Sequence, residues 1–272
     1  MSAVAAPVDD ARAVTERVAR TFALACRILP REVRADVYLL YVVFRTLDDL
    51  VDDAHPAAAP RVAAVDAWAR GAPAERTDEV AVLDRLAARH ALPRAALADF
   101  CEGMRWDLDR VEFETEAALD AYCYRVAGTV GIVMTALLGS SDPAAARPAA
   151  AALGMAMQRT NILRDLDEDR TAGRCYLARE TVMRLGDVRP GGREALLRDQ
   201  IARADRLYDA GLAGVRYLRR GRAAVRAAGS MYREILRQIE REGYGARPGR
   251  AVVSRGRKLA VAARAVMVPV PR

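Results

Sequence analysis

VYLLYVVFRTLDDLVDD occupies residues 37–53, and AAAALGMAMQRTNILRDLDED occupies residues 149–169. Each stretch begins with a run that is apolar on nearly every side of a helix, and each ends in a concentration of acidic residues. A helix without a polar face is typical of the centre of a helical bundle. The two stretches therefore predict central helices whose carboxyl-terminal ends carry negative charge.

The rest of the chain has the same helical character. Apolar residues recur at three- and four-residue spacing, and no segment shows the alternation that is typical of a strand. Proline and glycine clusters separate about eight or nine predicted helices, and no linker composition divides the chain. We therefore expect an all-α fold, a single domain over residues 1–272 with its core at about 14–264.

Composition limits the chemistry that the chain can perform. Its 272 residues include 43 Lys+Arg, 36 Asp+Glu and only 2 His, and 52% are hydrophobic. This mixture is too apolar for a disordered chain and too charged for a membrane-embedded one. The shortage of histidine argues against a His-based triad or a multi-His metal site. Any catalysis is therefore expected to depend on carboxylates, arginines, tyrosines and an oxygen-bound metal.

Cysteine usage and the chain's amino-terminal residues predict a cytoplasmic location. Asp9 and Asp10 precede any apolar run, so the start does not resemble a signal peptide, and no run reaches about 18 consecutive apolar residues. Peripheral contact with a membrane is left open. The cysteines lack C-x-x-C spacing and are predicted to be reduced, buried thiols: Cys26, Cys101, Cys123 and Cys175.

The acidic residues recur at helical spacing in both stretches. Asp48 and Asp52 are four residues apart, as are Asp165 and Asp169, and Asn161 lies one turn before Asp165. Like charges at this spacing cost a few tenths of a kcal/mol, and the helix dipole opposes acids at a carboxyl-terminal end by about 0.3–1 kcal/mol. A compensating cation is therefore expected.

A hard divalent cation satisfies this expectation. Mg²⁺, with Mn²⁺ as the alternative ion, binds one or two carboxylates and completes its shell with water and substrate phosphate. Arg45, Arg164 and Arg174 flank the acids, and a guanidinium binds phosphate oxygens in a fork. Either acidic cluster alone would favour a surface patch paired with arginines. Two clusters of matching spacing favour a site for an anionic head and an apolar tail.

The same residues resemble the squalene and phytoene synthases. Residues 47–52, LDDLVD, resemble the first aspartate-rich motif of that family. Residues 158–169, followed by GRCYL at 173–177, resemble the second motif, and residues 122–131 are similar to the element between the two. Tyr232-x-x-Ile235-Leu236 and residues 243–250 are also similar to the family, so the resemblance extends from about Arg20 to Leu259.

The resemblance implies an all-α isoprenoid-synthase fold of the class I terpenoid synthase type, with a central hydrophobic cavity. It implies metal-dependent loss of diphosphate from a prenyl diphosphate and head-to-head attack by a second prenyl chain. The implied metal ligands are Asp48, Asp52, Asn161, Asp165 and Asp169. The implied substrate-binding residues are Arg20, Phe22, Arg45, Gln158, Asn161, Arg164, Arg174, Tyr176 and Arg250, and catalytic roles fall to the four aspartates with Tyr41, Tyr122 and Tyr232.

One position departs from the family pattern. In the segment VARTF at residues 18–22, Ala19 stands where a phosphate-contacting serine is usual, although Arg20 and Phe22 fit. The departure puts the details of one diphosphate pocket in question. It leaves open a different allylic substrate or the use of a single prenyl diphosphate.

The sequence leaves three functions as alternatives. The first is condensation of two farnesyl or geranylgeranyl diphosphates to a phytoene-, dehydrosqualene- or squalene-type product, with NADPH required only for squalene. The second is a class I terpene cyclase acting on one prenyl diphosphate. The third, a nucleic-acid-binding module, requires clustered basic residues with exposed aromatics, whereas these arginines are dispersed. We therefore expect prenyl diphosphates as partners and no nucleic acid; the oligomeric state stays unknown.

Overall fold

The computed structural model describes residues 11–12, 20–186 and 188–267. It contains the helices α1 (Arg20–Cys26), α2 (Arg31–Asp52), α3 (Ala58–Ala69), α4 (Asp78–Ala87), α5 (Arg94–Leu108), α6 (Glu116–Cys123), α7 (Thr129–Leu138), α8 (Pro143–Thr171), α9 (Arg179–Leu185), α10 (Glu194–Ala213), α11 (Arg222–Arg241) and α12 (Arg255–Met267). A π-helical turn, Tyr124–Gly128, joins α6 to α7, and a 3₁₀ turn, Gly214–Tyr217, follows α10.

The all-α prediction is confirmed. Over the described ranges there is no strand, only an isolated bridge between Ser140 and Leu218. Helices outnumber the eight or nine expected, because short elements such as α1 and α9, of seven residues each, lie between breaks that the sequence pattern merges. The single-domain assignment stays a prediction.

The two apolar stretches form the long helices α2 and α8. α2 begins directly after Pro30 and ends at Asp52, and its buried side chains include Leu40, Val43 and Leu47. α8 begins at Pro143, where the Asp142 side chain accepts a hydrogen bond from the Ala145 amide at 3.0 Å. α8 continues through Pro148, so the apolar stretch from residue 149 begins inside the helix.

The helices pack around two large apolar clusters, and a small third one lies between α1, α11 and α12. One involves α2 to α5 and α7, and the other involves α6, α8, α10 and α11. Val126, in the π-helical turn, packs against both clusters. Because π-turns are frequent at functional sites, this junction marks the region that the site occupies.

One described helical stretch, Glu116–Leu138, is long and apolar enough to cross a membrane by length and composition alone. Half of its most apolar window is buried inside the protein. The stretch combines α6, the π-helical turn and α7.

Three of the four cysteines behave as expected. Cys26, Cys101 and Cys123 are free and buried, whereas Cys175 is free and exposed. The prediction of burial was wrong for Cys175, because the residue lies in the turn between α8 and α9 instead of on a packed helix.

Candidate active site

The acidic ends of α2 and α8 meet, and Arg174 connects them to the rest of the site. Its Nη1 lies 3.1 Å from Oδ1 of Asp52 and donates a hydrogen bond to the Tyr176 hydroxyl at 3.1 Å. The charge of Asp52 acts on Asp169, so the two clusters share one electrostatic environment. The two acidic clusters therefore lie close together.

The carboxylates of this cluster repel one another. Burial and then the charge of Asp52 raise the pKa of Asp48 to about 7. Burial and then Asp165 raise the pKa of Asp169 to about 6. A raised carboxyl pKa means that the negative form is unfavourable in the protein alone. The arginines present do not neutralise the cluster, which is how a site for additional cations behaves.

Asp107, which the sequence did not single out, belongs to the same cluster. It accepts hydrogen bonds from the hydroxyls of Tyr122, at 2.9 Å and 3.1 Å, and Tyr176, at 3.3 Å. Burial raises its pKa to about 6, against the lowering effect of the Tyr122 hydrogen bond. The one available signal was an aspartate at the carboxyl-terminal end of a helix, where the dipole is unfavourable.

Arginines border the carboxylates on both sides. Arg45 is 3.2 Å from Asp48 and also pairs with Asp49, and its buried Nε has no hydrogen-bond partner. Arg164 and Arg250 both contact Oδ1 of Asp165, at 2.8 Å and 2.9 Å. A guanidinium with an unused donor beside excess negative charge fits an anion that arrives together with metal ions.

The donor set fits a divalent cation whose coordination shell is completed by substrate. In the part of the chain that the structure describes, no three His, Cys, Asp or Glu side chains group closely enough to hold a metal alone. The buried Oδ1 of Asn161 lacks a hydrogen-bond partner, while its Nδ2 donates to Gln158 at 3.4 Å. An orphaned amide oxygen among carboxylates suits Mg²⁺, which needs few protein ligands when phosphate supplies the others.

An apolar cavity of about 310 Å³ lies beside this head region. Tyr41 and Phe22 stack at its wall with ring centroids 4.6 Å apart, and Tyr41 lies one helical turn from Arg45. Tyr232 also lines it and hydrogen-bonds Arg164. Its other lining residues include Val126, Val130, Gly131, Met134, Leu138, Met157, Val215 and Leu218.

The predicted site residues divide between the cavity and the head region. Tyr41, Tyr232 and Phe22 line the cavity, whereas Tyr122 and Tyr176 stack on each other at 5.5 Å and hold Asp107. Gln158 lies in the head region, where it accepts a hydrogen bond from Asn161. The functional roles of all these residues stay predictions.

Two positions of the amino-terminal motif cannot be placed. Ala19 and the side chain of Arg20 lie outside the described residues, although the backbone of Arg20 begins α1. The consequences of alanine at position 19 therefore stay a prediction.

Sequence reasoning also missed a pair that positions Arg250. Arg193, which is only 3% exposed, donates to both carboxylate oxygens of Asp167 at 2.8 Å and 2.9 Å, and to the Gly245 carbonyl at 3.2 Å. Asp167 accepts a further hydrogen bond from the Gly249 amide at 2.8 Å. The pair thus fastens the glycine-rich loop 243–250 to α8, next to Asp165.

Known proteins are similar to this chain in sequence. The sequence profile described as squalene/phytoene synthase matches residues 15–257. A 15-cis-phytoene synthase of Synechococcus elongatus is 35% identical over 278 residues, which cover 92% of this chain and 89% of that protein. A phytoene synthase of Thermus thermophilus is 38% identical over 238 residues, 82% of this chain and 80% of its own.

A solved structure of the same fold supports the family assignment that the sequence relatives indicate. A dehydrosqualene synthase crystallised with a ligand superposes with a TM-score of 0.86 at 27% identity, and the alignment covers 95% of each chain. The predicted isoprenoid-synthase fold is thereby confirmed, as is the resemblance drawn from the two acidic motifs. By its sequence, its fold and the facing acidic helices, this chain is a prenyltransferase that belongs to the squalene/phytoene synthase family.

Proposed function

We propose that this enzyme condenses two prenyl diphosphates head to head without a reductant, and that geranylgeranyl diphosphate is its substrate and a phytoene-type hydrocarbon its product. The observation that carries the proposal is an apolar cavity of about 310 Å³ that begins one helical turn from Arg45 and the carboxylates. The names of the phytoene synthase relatives favour the longer prenyl chain over farnesyl diphosphate.

The head region binds the diphosphate and assists its departure. Asp48, Asp52, Asp165 and Asp169 would hold Mg²⁺, with the free amide oxygen of Asn161 as a further ligand. The metal, when bound, neutralises charge on the leaving diphosphate, which agrees with the divalent-metal dependence that is general in the family. Mn²⁺ is the alternative ion.

The arginines supply the remaining positive charge. Arg45, Arg164, Arg174 and Arg250 border the carboxylates and donate to phosphate oxygens as the carbon–oxygen bond breaks. Their positions are fixed in advance by ion pairs with the aspartates, so little reorganisation is needed when diphosphate arrives.

The cavity protects the cation that remains on the prenyl chain. Its apolar wall excludes water, and the ring faces of Tyr41 and Phe22 offer negative electrostatic potential to a positive carbon. The second prenyl chain attacks this allylic cation, and loss of a proton from the resulting cation closes the ring of a cyclopropyl diphosphate. Departure of the second diphosphate and loss of a proton then give the hydrocarbon, and NADPH enters only if the product is squalene.

The proposal is tested with purified enzyme, Mg²⁺ and either farnesyl or geranylgeranyl diphosphate, with and without NADPH. We expect a dimeric hydrocarbon by mass spectrometry, made faster from the longer substrate and unaffected by NADPH. A cyclic product from one prenyl chain would instead identify a terpene cyclase. Nucleic-acid binding with no turnover of either diphosphate would exclude an enzyme of this kind.

The metal assignment needs its own variant. Asp48→Asn should lower diphosphate release at least about a hundredfold, because one removed electrostatic contact to a developing charge commonly costs this much. Asp53→Asn serves as the matched control, since Asp53 follows the same helix but is exposed and is not among the predicted ligands. Full activity of the Asp48 variant would refute the metal assignment.

A further inference from the structure

The apolar cavity extends from the head region into the helical bundle along one face of α8. Going back along the helix from Asn161, the residues that line the cavity are Met157, Gly154, Ala150 and Ala146. They are three or four positions apart, so they lie on the same side of the helix. With a rise of about 1.5 Å per residue, the span from Met157 to Ala146 is about 16 Å. The cavity is therefore deep, and Ala146 marks its far end.

The π-helical turn and α7 run antiparallel to α8 on another side of the cavity. Two close approaches give the register of the pair. A Cβ at Gly154 would lie 2.1 Å from the Ala127 carbonyl oxygen, and a Cβ at Gly131 would lie 2.3 Å from the Ala150 carbonyl oxygen. Residue numbers rise on one segment as they fall on the other. Leu138, the last residue of α7, therefore lies farther from the head region than Ala150.

The turn after α10 closes the far end of the cavity. Gly214 faces Ala149 of α8, since a Cβ at Gly214 would lie 2.1 Å from the Ala149 Cβ. Leu218 follows one turn later and forms an isolated antiparallel bridge with Ser140, just beyond α7. Leu138 and Leu218 both line the cavity, and they are only 4% and 5% exposed. These two leucines form what we call the floor of the cavity.

Hydrogen bonds to the backbone hold the floor in place. The Arg219 amide donates to the Gly139 carbonyl at 2.9 Å, and the Arg219 side chain donates to the Ser140 carbonyl at 2.8 Å. The Arg220 guanidinium donates to two carbonyl oxygens in the last turn of α7, at 3.1 Å and 3.3 Å. Arginine in this position satisfies the carbonyls that a helix leaves unpaired at its end. The backbone on both sides of the floor is therefore fixed.

We propose that the floor residues Leu138 and Leu218 set the length of the prenyl chain that the enzyme accepts. The inference rests on the proposed function, in which arginines and carboxylates hold the diphosphate at the opposite end. With the head fixed, each additional five-carbon unit moves the apolar end of the substrate toward the floor. A chain that is too long meets side chains whose backbone cannot shift, and one that is too short leaves apolar volume unfilled.

The floor differs in this respect from the side walls of the cavity. Short and long prenyl chains pass the same wall residues, such as Val130 and Met157, so contacts with the walls contribute to the binding of both. Only the far end meets substrates of different length differently. A difference of one methylene in an apolar pocket changes specificity by about tenfold to 200-fold, so a five-carbon unit is ample for discrimination.

Ala146→Leu tests the proposal by making the cavity shallower. Ala146 lines the cavity near the floor and is 2% exposed, so a leucine there fills space at the far end. The quantity to measure is kcat/KM for geranylgeranyl diphosphate divided by kcat/KM for farnesyl diphosphate, from diphosphate release with Mg²⁺. We expect this ratio to fall about tenfold or more. Ala144→Leu is the matched control, because Ala144 is exposed in the first turn of α8, and it should keep the wild-type ratio.

Leu138→Ala combined with Leu218→Ala tests the proposal in the opposite direction. The double substitution deepens the cavity, so geranylfarnesyl diphosphate, which is one five-carbon unit longer than geranylgeranyl diphosphate, should gain access. We expect kcat/KM for the longer substrate relative to geranylgeranyl diphosphate to rise about tenfold. Leu137→Ala is the control, because Leu137 is a fully buried neighbour in α7 that packs in the apolar core instead of lining the cavity. It should reduce stability and leave the ratio unchanged.

Opposite shifts in the two kinds of variant, with thermal melting to show that each is folded, would support the proposal, because general loosening of the fold cannot produce both. Unchanged ratios in the floor variants would overturn it, as would an equal shift in the Leu137 variant. Diphosphate release measures the ratio whichever hydrocarbon is formed. A cyclic monomer seen by mass spectrometry would therefore refute the proposed condensation and leave the ratio to decide the role of the floor. No diphosphate release by the wild type from any of the three substrates would refute both.

Discussion

Asp107 lies between two tyrosine hydroxyls at the edge of the predicted metal site. Its pKa of about 6, raised by burial, indicates that its charge is costly until a cation arrives. We predict that Asp107→Asn lowers both Mg²⁺ affinity and diphosphate release by about tenfold to a hundredfold, as loss of a supporting ligand contact usually does. Steady-state diphosphate release as a function of Mg²⁺ concentration measures both effects.

Asp109 provides the control for this residue. It lies two positions along the chain, is exposed, and caps α5 through its backbone. Asp109→Asn should therefore leave the Mg²⁺ dependence unchanged. Equal effects of the two substitutions would show that Asp107 acts only through the general charge of the region.

Single residues differed in how far the sequence could identify them. Two acids at helical spacing form a pattern within a few residues of sequence. The pairs Asp48/Asp52 and Asp165/Asp169 were therefore predictable. Asp107 carries no such pattern, since its partners are 15 and 69 positions away along the chain. Contacts at such separations depend on how helices pack, which a local pattern does not contain.

At the scale of the element, the Arg193–Asp167 pair controls where the loop 243–250 lies. Gly245 has φ +71°, and a Cβ there would lie 2.2 Å from the Arg193 Nε, so the loop and the guanidinium fit only with glycine. We predict that Arg193→Lys displaces Arg250 and raises the KM for prenyl diphosphate about tenfold with a smaller fall in kcat, since a lysine cannot reproduce the forked contact.

Steady-state kinetics separate this role from a purely structural one. Arg247→Lys is the control, because Arg247 lies exposed on the same loop and has no side-chain ion pair in the described ranges. It should leave KM unchanged. A reduced melting temperature of the Arg193 variant with unaltered KM would contradict a positioning role.

The crossing of α8 over the π-helical turn depends on a second glycine. A Cβ at Gly154 would lie 2.1 Å from the Ala127 carbonyl oxygen, which is backbone and cannot rotate away. We predict that Gly154→Ala lowers the free energy of unfolding by about 1–3 kcal/mol, as overpacking usually does. Urea unfolding measures the change. Gly256→Ala in α12, with nothing within 4 Å, should instead be neutral or slightly stabilising.

Helix identity was predictable where the periodic pattern was strong, and helix limits were not. The acids at residues 48–53 marked the last turn of α2 correctly, because Pro56 soon prevents the helix from continuing. In contrast, Pro148 lies inside α8, although proline usually interrupts a helix. Packing of the helix against α7 and α10 compensates for the missing backbone hydrogen bond, and this compensation is tertiary.

At the scale of the whole molecule, a buried polar network joins four helices. Glu116 of α6 accepts hydrogen bonds from Arg159 of α8 at 2.8 Å, from Gln200 of α10 at 2.7 Å and from Thr181 of α9. Arg159 is 2% exposed, so its charge depends on these partners and on Asp120. Removal of one partner from such a network leaves a buried charge incompletely paired.

This network makes stability depend on pH in a defined direction. Burial alone would raise the pKa of Glu116, but hydrogen bonds from Thr181 and Arg159 outweigh it and lower the pKa below its ordinary 4.5. A lowered carboxyl pKa stabilises the fold above pH 4.5, and this stabilisation is lost as the pH falls through the value in the folded protein. Acid should therefore weaken the contacts among all four helices together.

Glu116→Gln tests this coupling by urea unfolding at pH values on both sides of 4.5. We predict a loss of about 3 kcal/mol at neutral pH, because Arg159 loses a charged partner, and a shallower fall in stability at acidic pH than in the wild type. Glu75→Gln, at an exposed site before α4, should match the wild type at every pH. Parallel pH profiles for the Glu116 variant and the wild type would mean that other carboxylates cause the acid sensitivity, since only a group with different pKa values in the folded and unfolded chain can produce a slope.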